Sequence, residues 1–458
     1  MADYWVATDG DDGDPGTELE PWATAQYAAD TAVAGDTVYF KDGTWDISTV
    51  IDFDTNSGSD GSPIVFEAVN PGDATWALDD DDWLWYCDGV DWLEFRGLDF
   101  QGNTGYSAAT LTRLYDCNHI IFDDCEFEET AGRGLAIWGN CTDIEVDGCV
   151  IHPESTNDYD GIIIQYSGNE DIHIHDCTIY HTAHNGIGVK GADGLIIEDC
   201  LIYDIHSHGI SINKGEGAAS TNVIIRDNVI HGTENWGGAS GDPHEGIRVA
   251  EEAGDVEIYR NECYACDGRG IEVWNNCTGP IKIWNNVIYD CNKGQYAEGS
   301  WQFYDIDGGE DPPNPTVFFQ NNIIYHTESG GDSDYVMTVS SDISDNLTQN
   351  YNCWYSTGVT AFRRNGTTYA NAAAYSAVYE SNSVFDNPDM TNPAGGDFTL
   401  TAVSPAINAG VEVGGLPYHD TAPDCGANEY SGSSVPGKVW LCVAMDWLWW
   451  TVELTEAV

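Results

Sequence analysis

Basic side chains are scarce in this sequence. Lys plus Arg number 15 in 458 residues against 77 Asp plus Glu, a net charge of −62. A surface that acidic cannot neutralise phosphates, so nucleic acid is excluded as a partner. Anionic membranes are disfavoured, and a polyanionic sugar is repelled unless a basic patch or bound cations offset the field. Long apolar runs are also missing, so no membrane span is expected. The opening Ala2-Asp-Tyr-Trp-Val-Ala-Thr8 has neither a basic start nor an apolar stretch. It shows no secretory signal peptide, and the expected setting is extracellular or virion, the latter reached by lysis. What is abundant is carboxylate, which keeps a surface hydrated or holds Ca²⁺, and 42% hydrophobic residues, enough for a continuous core.

Three short phrases recur through the middle of the chain. One places Cys or Asn after a polar pair: Cys125, Cys149, Cys177, Cys200, then Asn228, Asn261, Asn286, Asn322 and Asn352. A second alternates apolar and polar residues, as in Ile144-Glu-Val146, Ile172-His-Ile174 and Val256-Glu-Ile258. A third is Gly followed by alternation: Gly134-Leu-Ala-Ile137, Gly161-Ile-Ile-Ile164, Gly186-Ile-Gly-Val189, Gly209-Ile-Ser-Ile212, Gly246-Ile-Arg-Val249 and Gly270-Ile-Glu-Val273. Three short strands per repeat with turns between predict an all-β, single-stranded right-handed parallel β-helix, its rungs stacked about 4.8 Å apart. Period-2 alternation sends Leu135, Ile137, Ile187, Val189, Ile210 and Ile212 inward. Cysteines at one position of successive rungs read as buried, reduced thiols rather than disulfides or metal ligands. The asparagines that follow read as a ladder hydrogen-bonded along the axis.

A solenoid must cover its open ends. Pro21 to Gly35 predicts a helical N-terminal cap, with Pro at its start and Gly at its stop. The expected division is residues 1–45 for cap and first strand, 46–430 for the β-helix, and 431–458 for a linker and a Trp-rich segment. That last segment, Val439 to Leu454, holds four tryptophans. Left exposed it would aggregate, so it is expected to dock on the last rung or to join subunits through 438–454, in a homo-oligomer or virion assembly.

The opening Tyr4-Trp-Val-Ala-Thr-Asp-Gly10, Pro21-Trp-Ala-Thr24 and Gly35-Asp-Thr-Val-Tyr-Phe-Lys-Asp-Gly-Thr-Trp45 resembles that of the pectin-lyase-like right-handed β-helix proteins. Asn387-Pro-Asp389, Gly396-Asp-Phe-Thr-Leu400, Ser404-Pro-Ala-Ile-Asn-Ala-Gly410 and Asp424-Cys-Gly-Ala-Asn-Glu-Tyr430 are similar to that family's closing segment. The resemblance runs from about residue 3 to 430. It implies the fold; the family's members include lyases, epimerases, glycosidases and tailspikes.

Candidate chemistry falls beside the Gly-led strands. The fourth residue after each Gly gives an outward row of Trp138, Gln165, Lys190, Asn213, Ala250 and Trp274; the second includes Ser211, Arg248 and Glu272. Aromatic ends with polar residues between them suit an extended glycan, so Trp138, Gln165, Asn213, Glu272 and Trp274 are the expected substrate-binding residues. Lys190, Lys214, Arg248, His208 and His244 fall on neighbouring rungs in a chain poor in cations. Lyase chemistry needs a cation for a uronate carboxylate, a base for the C5 proton and an acid for the leaving oxygen. Lys214 or Lys190 is the candidate base and Arg248 the neutraliser; the Lys214 and Arg248 pairing resembles that of alginate-lyase β-helices. Paired carboxylates among Asp160, Glu245 and Glu272 would instead suit a glycoside hydrolase. A non-catalytic virion subunit (tailspike, fibre or decoration protein) is the alternative. Among acidic loops, Asp305, Asp307 and Asp311 are the candidate Ca²⁺ ligands.

Overall fold

The computed structural model describes residues 1–79, 83–103, 111–128, 132–153, 159–214, 219–233, 244–274, 277–291, 301–304, 315–326, 335–339, 345–357, 361–430, 439–442 and 451–454. Each repeat folds into three strands, and equivalent strands pair in parallel from rung to rung. Three long sheets result, of 13, 13 and 12 strands. The alternating phrase forms the first sheet, the Gly-led phrase the second, and the segment after Cys or Asn the third. Inward residues of all three meet in one core: Ile137, Ile164, Val189, Ile212, Val249 and Val273 come from the second sheet alone.

Turn residues explain the polar pairs. Asp124, Asp176, Asp199, Asp227, Arg260, Asn285 and Asn321 all have φ between 51° and 58°, directly before the Cys or Asn position. Asp and Asn tolerate that left-handed conformation better than most residues. Gly148 takes the same place with φ 62°.

The thirteen cysteines from Cys87 to Cys425 are buried free thiols. Cys125, Cys149 and Cys177 direct Sγ at the carbonyls of Phe95, Phe122 and Val146 at 3.3–3.7 Å. From residue 228 onward, Asn donates to the equivalent carbonyl: Asn228 to Ile197, Asn261 to Ile225 and Asn286 to Ile258, at 2.9–3.0 Å. Each Asn also donates to the Oδ1 of the next, through Asn261, Asn286, Asn322 and Asn352. The two residue types therefore solve one problem, a carbonyl facing the core.

The N-terminal helix is shorter than the spacing predicts. It spans Ala25–Thr31 and buries Ala25, Ala28 and Ala29. Asp12 sets its start: Oδ1 accepts from Ala23 and Thr24 amides at 2.8 and 3.0 Å, holding Thr24 extended as N-cap. Pro21 and Trp22 stay outside the helix, where Trp22 bridges to Val6. Strand Asp3–Val6 pairs with Thr37–Phe40, so the first sheet begins within the cap region. The far end is covered by a helix the repeat does not announce, Ala372–Ser376, whose buried Tyr375 stacks on Phe362 at 4.7 Å. The closing segment folds back along the outside of the third sheet: Met390, Phe398, Leu400, Ala406 and Cys425 pack on Val287, Tyr289, Ile323 and Cys353. Beyond it, Val439–Cys442 pairs antiparallel with Thr451–Leu454. No helix among the described residues is long and apolar enough to cross a membrane.

Candidate functional site

The register of the second sheet aligns the expected row. Trp138 pairs with Gln165, Gln165 with Lys190, and Lys190 with Asn213; further on, Ala250 pairs with Trp274. The inner row aligns as Gly188, Ser211, Arg248 and Glu272. That row faces outward but is largely buried, because the residue preceding each Gly folds over it. Asp160, Asn185, His208, Glu245 and Arg269 form this roof, and all five are buried. A Cβ at Gly188 would come within 2.9 Å of the Asp160 carboxylate, so a larger residue there would displace Asp160.

An open cleft of about 430 Å³ lies beside the roof. Lys190, Lys214 and Arg248 line it with His184 and His208, and Gln165, Asn185, Ser211 and Asn213 supply neutral polar groups. Among the described residues, Glu251 is the one acid on its wall. The cleft thus gathers three of the chain's 15 Lys and Arg residues and two of its 12 histidines.

Two buried polar assemblies support it. In the first, His184 Nδ1 lies 2.7 Å from Asp160 Oδ1, and Asn185 donates its side-chain and backbone N–H to the same oxygen at 2.7 and 3.1 Å. Burial alone would raise the Asp160 pKa; His184, Lys190 and the Asn185 amide reverse this and hold it below the usual carboxylate range. In the second, Arg269 Nη1 reaches both Glu245 at 2.7 Å and Glu272 at 3.1 Å. Glu245 Oε2 lies 2.8 Å from His208 Nδ1, and His208 Nε2 accepts from Arg248 Nη1 at 3.0 Å. The Arg248 guanidinium sits 4.3 Å over the Trp274 ring, with Nε 3.5 Å from Glu272. Burial pushes Glu245 up to about 7 against the pull of Arg269 and Arg248. Burial and the Glu245 charge push Glu272 to about 7 as well. Burial thus draws both carboxyls toward their protonated forms beneath the Arg269 and Arg248 guanidinium groups.

These contacts sort the expected residues. Lys190, Lys214, Arg248, Gln165 and Asn213 meet in the cleft. Lys214 is paired with Glu252 at 2.7 Å, whereas Lys190 makes no ion pair among the described residues. His208 lines the cleft, but both its ring nitrogens face partners, so it positions Arg248. Buried His244 is not among the cleft's lining residues; its ring is 6.0 Å from His206 and its carbonyl accepts from Thr233 and Gly268. Glu272 and Trp274 hold Arg248 from below. Trp138 belongs to a separate aromatic cluster three rungs from Asn213, with Arg113 3.9 Å over Trp83 and Trp83 6.2 Å from Trp138. His184, Asn185 and Ser211 complete the cleft; the residues just before each Gly, as in Tyr159-Asp-Gly161 and His184-Asn-Gly186, are the signal that brings His184 beside His208 and the basic residues. Asp305, Asp307 and Asp311 lie outside the described residues.

Residues 86–242 match the family model described as a right handed beta helix region. Pectate lyase Pel9A superposes with a TM-score of 0.58 at 19% identity, over 94% of this chain and 97% of that one. The A-module of Azotobacter vinelandii mannuronan C-5 epimerase AlgE6 gives a TM-score of 0.60 at 14% identity, over 77% and 91%. That of AlgE4 gives 0.51 at 17%, over 74% and 89%. No curated protein sequence matches the chain. The rung register, the three parallel sheets and these likenesses together make the chain a right-handed parallel β-helix of the pectin-lyase-like fold.

Proposed function

We propose that this protein acts on an anionic, uronate-bearing polysaccharide and cleaves it by β-elimination. One observation carries the reading: in a chain of net charge −62, three cations and two histidines converge on one polar cleft. A neutral glycan would not need them. The relatives named a pectate lyase and mannuronan C-5 epimerases are consistent with such a substrate.

In this reading Arg248, held flat on Trp274, binds the C5 carboxylate and stabilises the charge that develops when the C5–H bond breaks. Lys190 takes that proton. The electron pair forms the C4–C5 double bond as the C4–O4 bond breaks. His184, oriented by Asp160, delivers a proton to the leaving O4. Gln165 and Asn213 hydrogen-bond sugar hydroxyls, and the Trp83–Trp138 cluster stacks on a more distant residue of the same glycan.

The test is a panel of alginate, pectate, hyaluronan and neutral glycans, followed by ultraviolet absorbance of unsaturated ends. Absorbance should appear with at least one polyuronate and vanish in Lys190→Ala and Arg248→Ala. Binding without absorbance would leave a glycan-binding subunit, and neither binding nor cleavage would sink the proposal. Assembly through 438–454 into a homo-oligomer or virion appendage is a separate proposal, supported by the four tryptophans there; light scattering of the chain with and without 431–458 decides it.

A further inference from the structure

We infer that the outer face of the first sheet carries a binding site for a zinc-class divalent metal, built from Glu145, His173 and His175. Strands Thr142–Asp147 and Glu170–His175 pair in parallel, with Glu145 opposite His173 and Asp147 opposite His175. Residues two apart on a strand point to the same side, so His173 and His175 both face outward, with rings stacked 4.1 Å apart. Their ligand atoms and that of Glu145 all lie within 4.8 Å of one another.

The donor spacing fits one ion. Tetrahedral zinc with nitrogen and oxygen ligands near 2.0–2.1 Å places neighbouring donors about 3.4 Å apart. Glu145 Oε1 and His175 Nε2 are already 3.1 Å apart. The other ring nitrogen of His175 is provided for: Nδ1 lies 3.0 Å from Asp176 Oδ2 and 3.2 Å from Asp147 Oδ1. A carboxylate on the far nitrogen of a ligating histidine fixes its tautomer and strengthens it as a donor. Glu198 holds Nε2 of His173 at 2.8 Å and is itself gripped by Arg226, which assigns the ligand role on that ring to Nδ1. Two imidazoles and a carboxylate select a borderline metal over Ca²⁺ or Mg²⁺, which prefer all-oxygen shells. A solvent molecule would complete the shell, because His173 and Glu145 remain partly exposed. The site lies on a different sheet from the cleft. It clamps two rungs together, so its occupancy should change stability and leave catalysis alone.

The experiment uses the full chain, stripped with EDTA and titrated with ZnCl₂ by calorimetry. One equivalent should bind, the melting temperature should rise, and excess Ca²⁺ should not compete. His173→Gln and His175→Ala should each weaken that equivalent by more than 100-fold, and Asp147→Asn by about 10- to 100-fold. Circular dichroism confirms that the variants fold; His173 is partly exposed, so its variant tests the site even if His175→Ala misfolds. Substitution with Co²⁺ should give visible d–d bands without a thiolate charge-transfer band. Absence of tight zinc binding, binding unchanged in both histidine variants, or a thiolate band placing the metal on cysteine would overturn the inference. A polyuronate assay unaffected by zinc removal keeps this outcome distinct from the fate of the cleft proposal.

Discussion

Arg248 is fixed on three sides, by Trp274 below, His208 at Nη1 and Glu272 at Nε. A side chain pre-positioned this way loses little freedom when it meets a carboxylate. Trp274→Ala removes the platform, so KM for a polyuronate should rise several-fold and more than kcat falls; an unchanged KM would show that Arg248 does not bind substrate. Asp160→Asn should instead lower kcat by about 10²- to 10⁴-fold, because His184 loses the anion that orients it. Glu245 and Glu272 make a different prediction. Both are raised to about 7, so the folded state holds a proton that the unfolded chain releases near pH 4.5. Between about pH 4.5 and 7 the folded state binds more protons, and stability should fall as pH rises through that window, then level off. Glu272→Gln removes one of the two groups. Its unfolding free energy from urea titration should vary less over the window than that of the parent, by up to about 3 kcal/mol; parallel curves would show that the pair does not titrate there. The row Trp138, Gln165, Lys190, Asn213 was legible from Gly spacing alone, because a strand's period is fixed at two. The roof was not. Whether Asp160 lies over Gly188 or points to solvent depends on how the turn before each Gly folds, and nothing local in Tyr159-Asp-Gly161 states it. His244 illustrates the cost: it precedes a Gly by two residues just as His184 does, yet its ring packs beside His206 outside the cleft.

At the scale of the element, the Cys-to-Asn ladder shows how one turn position is satisfied in two ways. Asn286 is buried; its Nδ2 donates to Ile258, Trp284 and Asn322, and its Oδ1 accepts from the amide and side chain of Asn261. Asn286→Ala strands several buried polar groups at once. It should cost about 2–4 kcal/mol, given about 1–3 kcal/mol for each unsatisfied group and partial relaxation. Asn286→Cys restores a small weak donor of the kind found at Cys177 and should cost less. Urea denaturation compares the two, and equal losses would refute the equivalence of the ladder positions. The ladder itself was readable from the repeat. The short helix Ala372–Ser376 was not, since five residues around Asn371 carry no periodicity, and its role comes from where Tyr375 lands on Phe362.

For the whole molecule, the charge of −62 sets a sign that the cleft must work against. A polyuronate approaching from solution meets repulsion before it reaches Lys190, Lys214 and Arg248. Screening acts on the two effects at different ranges. The Debye length is about 30 Å at 0.01 M salt and about 10 Å at 0.1 M. Added salt therefore removes long-range repulsion first, while contacts inside the cleft persist until higher concentrations. kcat/KM for a polyuronate should rise as NaCl goes from about 0.01 to 0.2 M, pass through a maximum, and fall once the Arg248–carboxylate contact is itself screened. A basic polysaccharide-binding protein would show only the fall. The melting temperature should rise over the same range, because self-repulsion among surface carboxylates relaxes. Comparing Lys214→Gln, which removes a cleft cation that takes no part in the proposed proton transfers, with the parent separates the two ranges. Loss of one cleft cation should lower kcat/KM at every salt concentration while leaving the position of the maximum nearly unchanged, since the maximum reflects the overall field. A rate that declines steadily from the lowest salt would mean that the cleft's local field already outweighs the charge of the whole chain.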